Sequence, residues 1–169
     1  MQIIKYFILF LILVFSSMIG KFISKRYVYR LQELEEMKNT LNILKNKIKF
    51  TYEPIPDVFL EISKKIKGNV GKLFFDASKQ MQLDFAGEVW EKCISNSNLG
   101  LLEDDKEALK SLGKLLGSTD IEGQISQIRL VNTFLDGQIE DATESRNKNE
   151  KMYKKLGVIV GLAVVIVLA

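Results

Sequence analysis

The chain of 169 residues has no histidine, one cysteine and two prolines. Without histidine there is no Ser-His-Asp or Cys-His nucleophile pair, and no imidazole to hold zinc, haem or non-haem iron. A lone thiol, Cys93, cannot close an internal disulfide or build a thiolate cluster, so a disulfide-stapled fold is excluded and the redox compartment stays open. Cys93 reads as a small buried hydrophobe, with a reactive thiol as the alternative. Charge of one sign is scarce too: 24 basic and 21 acidic residues leave +3, too small and too mixed a balance for a nucleic-acid binder. None of Gly20-Lys21, Gly71-Lys72 and Gly113-Lys114 has the earlier glycine and following hydroxyl of a phosphate-binding loop. The acid pairs Glu35-Glu36 and Asp104-Asp105 are adjacent on helices and so diverge, which reads as a solvated face rather than acid-base machinery. These absences predict a chain that is not an enzyme and has no cofactor, metal site or small-molecule substrate.

What the chain does have is segregated. Its mean hydropathy is only +0.05 with 47% hydrophobic residues, yet residues 6–20 and 156–169 carry no charged side chain. Tyr6–Gly20, extended past Lys21 by Phe22 and Ile23, comes close to the ~20 residues a helix needs to cross a ~30 Å hydrocarbon core, provided Lys21 snorkels. A secretory signal peptide shares this outline, but SSMIGKFIS offers no good pair of small residues for cleavage, so an uncleaved anchor is expected. The uncharged run from Leu156 spans only about 21 Å as helix. Crossing therefore requires the preceding turn, with Tyr153 at the interface and Lys151, Lys154 and Lys155 snorkelling. Gly157 and Gly161 form a small-xxx-small pair, which permits close approach of another membrane helix but also occurs without one.

Basic residues set the expected orientation. Lys21, Lys25, Arg26 and Arg30 follow the first segment, and Arg146, Lys148, Lys151, Lys154 and Lys155 precede or open the second, whereas the outer flanks hold only Lys5. The excess of positive charge on the inner side predicts a membrane-interface belt of these nine residues. The expected organisation is an N-terminal membrane segment over 1–23, a cytoplasmic helical domain over 24–150 and a C-terminal membrane segment over 151–169. The body between the flanks is mildly acidic, which suits a domain standing on an anionic leaflet.

The domain reads as all-α. From Phe22 to about Phe50, Tyr27, Leu31, Leu34, Met37, Leu41, Leu44 and Ile48 recur every three or four residues without Gly or Pro, and the first anchor is expected to run into this helix unbroken. Pro54 and Pro56 stop it, and Asp57 is expected to cap a second helix. A third carries Val70, Leu73, Phe74, Ala77 and Met81, and a fourth, capped by Asp84, carries Trp90. Acidic Glu103-Asp104-Asp105 suits the start of a fifth helix, which buries Leu109, Leu112 and Leu116 and stops at Gly117. Gly113 falls inside it, a cost that a closely crossing helix would explain. A last long helix restarts at Ser118–Asp120, keeps its stripe from Ile121 to Ala142 and continues as the C-terminal segment. The expected architecture is an antiparallel bundle of about six helices whose long first and last members continue into the membrane segments. Heptads in both long helices leave a coiled coil with another subunit open. Lys45, Lys47, Lys49, Lys64, Lys65, Lys67 and Lys72 are expected to gather around the first turn, as a partner-docking end or for solubility alone.

Leu109-x-x-Leu112-Gly113-x-x-Leu116-Gly117-x-x-Asp120-x-x-x-Gln124, then Asn149-Glu150-Lys151-Met152-Tyr153-x-x-Leu156-Gly157, resembles the stage III sporulation protein AB family of endospore-forming bacteria. The layout agrees over the whole chain, including an aromatic-led Trp90-Glu91 segment. The family's acid-Ile-x-aromatic before Pro-Leu stands here as Lys47-Ile48-x-Phe50 and Pro54-Ile55, without the acid. The resemblance implies a component of the secretion-like channel across the two membranes between mother cell and forespore. It implies a domain similar to the cytoplasmic domains of type II secretion and type IV pilus platform proteins. It also implies partners: the secretion-type cytoplasmic ATPase and the other membrane proteins of the complex, at the mother-cell membrane facing the forespore. No catalytic residue carries over. Gly113 and Gly117 fall on family positions and read as structural, and the match strengthens the membrane-helix contact expected of Gly157 and Gly161.

Overall fold

In a computed structural model, residues 2–51 and 53–168 are described, so Ala169 and the side chain of the outer-flank Lys5 lie outside the described residues. The elements are α1 (Gln2–Phe50), α2 (Ile55–Lys65), α3 (Gly68–Gln80), α4 (Ala86–Ser95), α5 (Glu103–Ser111), a 3-10 turn (Leu112–Lys114) and α6 (Ile121–Leu168). No strand occurs among the described residues, and the fold is all-α with six α-helices. The first and last helices are by far the longest, at 49 and 48 residues. Two units emerge, one of residues up to Leu31 with those from Asp141, the other of Gln32–Glu140.

Within Gln32–Glu140 the apolar periodicity becomes the core. Leu34, Met37, Leu41 and Leu44 of α1 are fully buried, as are Val58, Phe59, Val70, Phe74, Trp90 and Ile94 from the three helices that follow. Phe59, Phe74 and Trp90 form an aromatic cluster with centroids 4.7, 5.5 and 5.4 Å apart. The Trp90 Nε1–H donates to the Leu109 carbonyl at 2.7 Å, so the one polar atom of this large side chain is satisfied inside the core. In this unit α6 runs antiparallel to α1: Lys38 bonds Asp136, and the Asn132 Nδ2–H donates to Asn42 Oδ1 at 3.1 Å. Helix α2 also runs back along α1, because Lys47 reaches Glu61 while Asn69, just past α2, reaches Glu33.

Helix boundaries depart from expectation where backbone chemistry outcompetes a capping side chain. Pro54 takes the cap position of α2 with φ −57° and Pro56 lies in its first turn, where a missing N–H costs nothing. Asp57 is therefore already inside the helix, its N–H bonded to the Pro54 carbonyl at 3.0 Å, and is not the cap. Asp84 does not cap α4 either: its N–H still closes the preceding turn on the Gln80 carbonyl at 3.1 Å, and Phe85 takes the cap position. Helix α5 begins as its acids suggest, with the buried Asp105 carboxylate accepting the Leu102 N–H at 2.9 Å. It ends at Ser111, earlier than expected, and tightens into the 3-10 turn, so Gly113 lies in that turn rather than in the α-helix. Asp120 caps α6, accepting the Gly123 N–H at 3.0 Å.

Candidate functional site

The other unit inverts the ordinary distribution of side chains. Phe7, Phe10, Phe15, Met18 and Phe22 of α1 and Ile159, Val160, Ile166 and Val167 of α6 are exposed. What lies between the two helices is small: Ser16 Oγ–H donates to the Gly157 carbonyl at 2.6 Å, and Gly20 and Ser24 are buried. A Cβ added at Gly157 would come within 2.8 Å of the Ser16 carbonyl and 3.0 Å of the Gly20 Cα, so any side chain there pushes the backbones apart. At Gly161 a Cβ would lie 3.1 Å from that of Ser16. One turn further, Tyr27 and Tyr153 stack with centroids 5.8 Å apart and planes at 15°. Gly157 and Gly161 thus meet a helix of the same chain, packed antiparallel through a small-residue seam.

Among the described residues one helix, Tyr6–Phe50, is long and apolar enough to cross a membrane, and only 17% of its apolar window is buried. A core helix of the same composition would be mostly covered. In α6 the uncharged stretch Leu156–Leu168 gives about 20 Å of helix, short of a full crossing.

The nine basic residues of the expected belt all lie in this same unit. Glu150 takes Arg146 at 3.2 Å and Lys154 at 2.7 Å, and these contacts, Lys154 first, hold its carboxyl below the usual range. Lys21, Lys25, Arg26, Lys148, Lys151 and Lys155 are exposed.

In Gln32–Glu140 the two expected structural glycines have separate causes. A Cβ at Gly113 would come within 2.7 Å of the Gly87 carbonyl, so α4 and the 3-10 turn touch backbone to backbone. Gly117 has φ +72°, the left-handed turn that lets the chain reverse into α6. Gln124 holds that reversal, accepting the Gly117 N–H at 3.3 Å and donating to the Thr119 carbonyl at 3.1 Å.

The seven lysines expected at the first turn are not brought together. Lys47 is held by Glu61 at 2.5 Å and Glu53 at 3.5 Å, which raises its own pKa and lowers that of Glu61. Lys45 donates to Asn42 Oδ1 at 3.1 Å, and Lys49 lies over the Phe50 ring at 5.2 Å. Lys64, Lys65 and Lys67 stand at the opposite end of α2, toward Glu33. That glutamate is a residue sequence reasoning missed: it accepts the Asn69 side-chain N–H at 2.6 Å and the Gly100 N–H, tying the start of α3 and the loop after α4 to α1. Only the long range of these contacts hid it.

Lys72 lines a polar cleft of about 150 Å³ between α3 and α4, with Asp76, Gln80, Lys92, Asn96 and Asn98. Cys93 sits at its edge, and burial, helped by Asp76, pushes its thiol up. A thiol held protonated with no imidazole beside it is a poor nucleophile. No group of three or more Cys, Asp or Glu side chains suited to a metal occurs among the described residues.

The model of the stage III sporulation protein AB family matches residues 5–169. The chain belongs to the stage III sporulation protein AB family. Over 161 residues it is 30% identical to stage III sporulation protein AB of Bacillus subtilis (strain 168), covering 93% of this chain and 94% of that protein. It is also similar to a solved structure of a stage III sporulation protein AB, with TM-score 0.67 and 26% identity over 71% of this chain and 98% of that one. Membership of the stage III sporulation protein AB family makes the chain a sporulation protein, and Gly117, Asp120 and Gln124 build the reversal into α6.

Proposed function

We propose that the chain is a non-enzymatic, membrane-anchored docking subunit of a secretion-like channel of endospore formation. In this reading residues 1–23 and 151–169 form a two-helix membrane hairpin in the mother-cell membrane facing the forespore, and residues 24–150 stand in the cytoplasm. The observation that carries the reading is the inversion of the hairpin unit. Large apolar side chains point outward, small residues fill the seam, and nine basic residues flank it, an arrangement stable in lipid and costly in water. The hairpin's own seam gives the short second segment a partner.

The bundle is the part available to cytoplasmic proteins, among them the secretion-type ATPase expected beside this family. Its docking end is assigned to the turn after α1, where Lys45, Lys49 and the exposed Phe50 stand, Lys47 being engaged as a structural tie. A tethering coiled coil is less well supported, because Leu34, Met37, Leu41 and Leu44 are fully buried within the chain and are not free to meet a second subunit.

Purification of the tagged full chain from sporulating cells tests this. The ATPase and other membrane components of the complex should co-purify, and Lys45→Glu/Lys49→Glu should reduce ATPase recovery several-fold without changing chain abundance. Recovery of the chain alone, or of unchanged ATPase with the variant, would remove the docking assignment.

A further inference from the structure

The hairpin uses only one side of α1. Ser16, Gly20 and Tyr27 meet α6, and the opposite side presents Phe15, Met18 and Phe22 at 61%, 60% and 73% exposure. With Ile19, Lys21 and Lys25 they line an open furrow of about 400 Å³. Its apolar length from Phe15 to Phe22 is about 10 Å of helix, and both lysines stand at one end, a single turn apart. No carboxylate among the described residues pairs with Lys21 or Lys25, and the nearby Glu150 is taken by Arg146 and Lys154.

We propose that this furrow binds an anionic phospholipid, its phosphate between Lys21 and Lys25 and an acyl chain along Phe15, Met18 and Phe22. The inference rests on the membrane-anchor reading and deepens it from a general attraction of the leaflet to one face of one helix. The charge pattern selects the occupant. A purely apolar partner helix would desolvate two ammonium groups without compensation, and a free phosphate would leave the aromatic face uncovered. An anionic amphiphile satisfies both halves at once.

The test uses the full chain in bilayer nanodiscs of mixed phosphatidylcholine and phosphatidylglycerol, with native mass spectrometry to count retained lipids. Wild type should retain phosphatidylglycerol preferentially. Lys21→Gln/Lys25→Gln should lower that preference by about fivefold per lysine. Lys148→Gln/Lys151→Gln, which removes equal charge from α6, should leave it intact, and Lys21→Arg/Lys25→Arg should restore it. Millimolar inorganic phosphate should not compete. Equal loss from both Gln doubles, displacement by phosphate, or no headgroup preference in a chain that resists carbonate extraction would overturn the lipid site. Release of the chain by carbonate would instead overturn the anchor reading itself.

Discussion

Gly87 and Gly113 meet backbone to backbone, which supplies the close crossing expected of a glycine placed by the sequence in the fifth helix. Their carbonyl contact explains both, and Gly113→Ala should cost about 1–3 kcal/mol, read from denaturant unfolding of the full chain in detergent. Trp90→Phe keeps most of the aromatic packing and leaves the Leu109 carbonyl the Leu112 N–H, so only the indole hydrogen bond is lost and a cost of about 0.5–1.5 kcal/mol is expected. Glu61 supplies the pH dependence. Lys47 lowers its pKa in the folded chain from an ordinary 4.5, so its contribution is present above that value and is lost as pH falls through the lowered one. Glu61→Gln should therefore flatten the acid limb of the stability profile below pH 4.5 and, because Lys47 loses the partner that raises its pKa, also the alkaline limb above pH 10.5; unaltered limbs would show that the pair contributes nothing. Asp57 and Asp84 do not cap their helices because local rules compete: a proline with suitable φ, or a backbone N–H already committed to the previous turn, displaces a carboxylate that composition favours.

At the scale of elements, helices were legible because burial in this chain follows a three-to-four spacing almost without exception from Leu34 to Leu44 and from Ile125 to Leu135. What was not legible was which elements meet. Placing seven lysines at one turn took sequence neighbourhood for spatial neighbourhood, whereas α2 carries Lys64, Lys65 and Lys67 back along α1 toward Glu33. The Gly157 motif was visible, but its partner, the Ser16-xxx-Gly20 stretch of the first segment, is contributed by the other end of the chain. Replacing Gly157 by Leu should separate the two helices of the hairpin. With Cys93→Ala in the background and cysteines at Tyr27 and Tyr153, bismaleimide cross-linking should slow about tenfold, the scale of a 1–3 kcal/mol overpacking penalty. Unchanged cross-linking would mean that the seam does not hold the pair.

For the whole molecule, the near-zero hydropathy is an average over two units with opposite rules: one buries its large side chains, the other displays them. The charge-free runs and the basic residues beside them were readable residue by residue, whereas the two units divide at Leu31 and Asp141, inside the long helices. The all-α class followed too, since no segment alternates with period two. Partners were not readable from residues, because docking rests on exposed side chains whose periodicity carries no record of what covers them. The proposed function requires the bundle to face the cytoplasm from a membrane hairpin. The direct measurement is labelling of a cysteine placed at the exposed Asp104, in a Cys93→Ala background, with a membrane-impermeant maleimide. A cytoplasmic bundle predicts no labelling in intact cells and full labelling after permeabilisation; labelling in intact cells would contradict the proposed function.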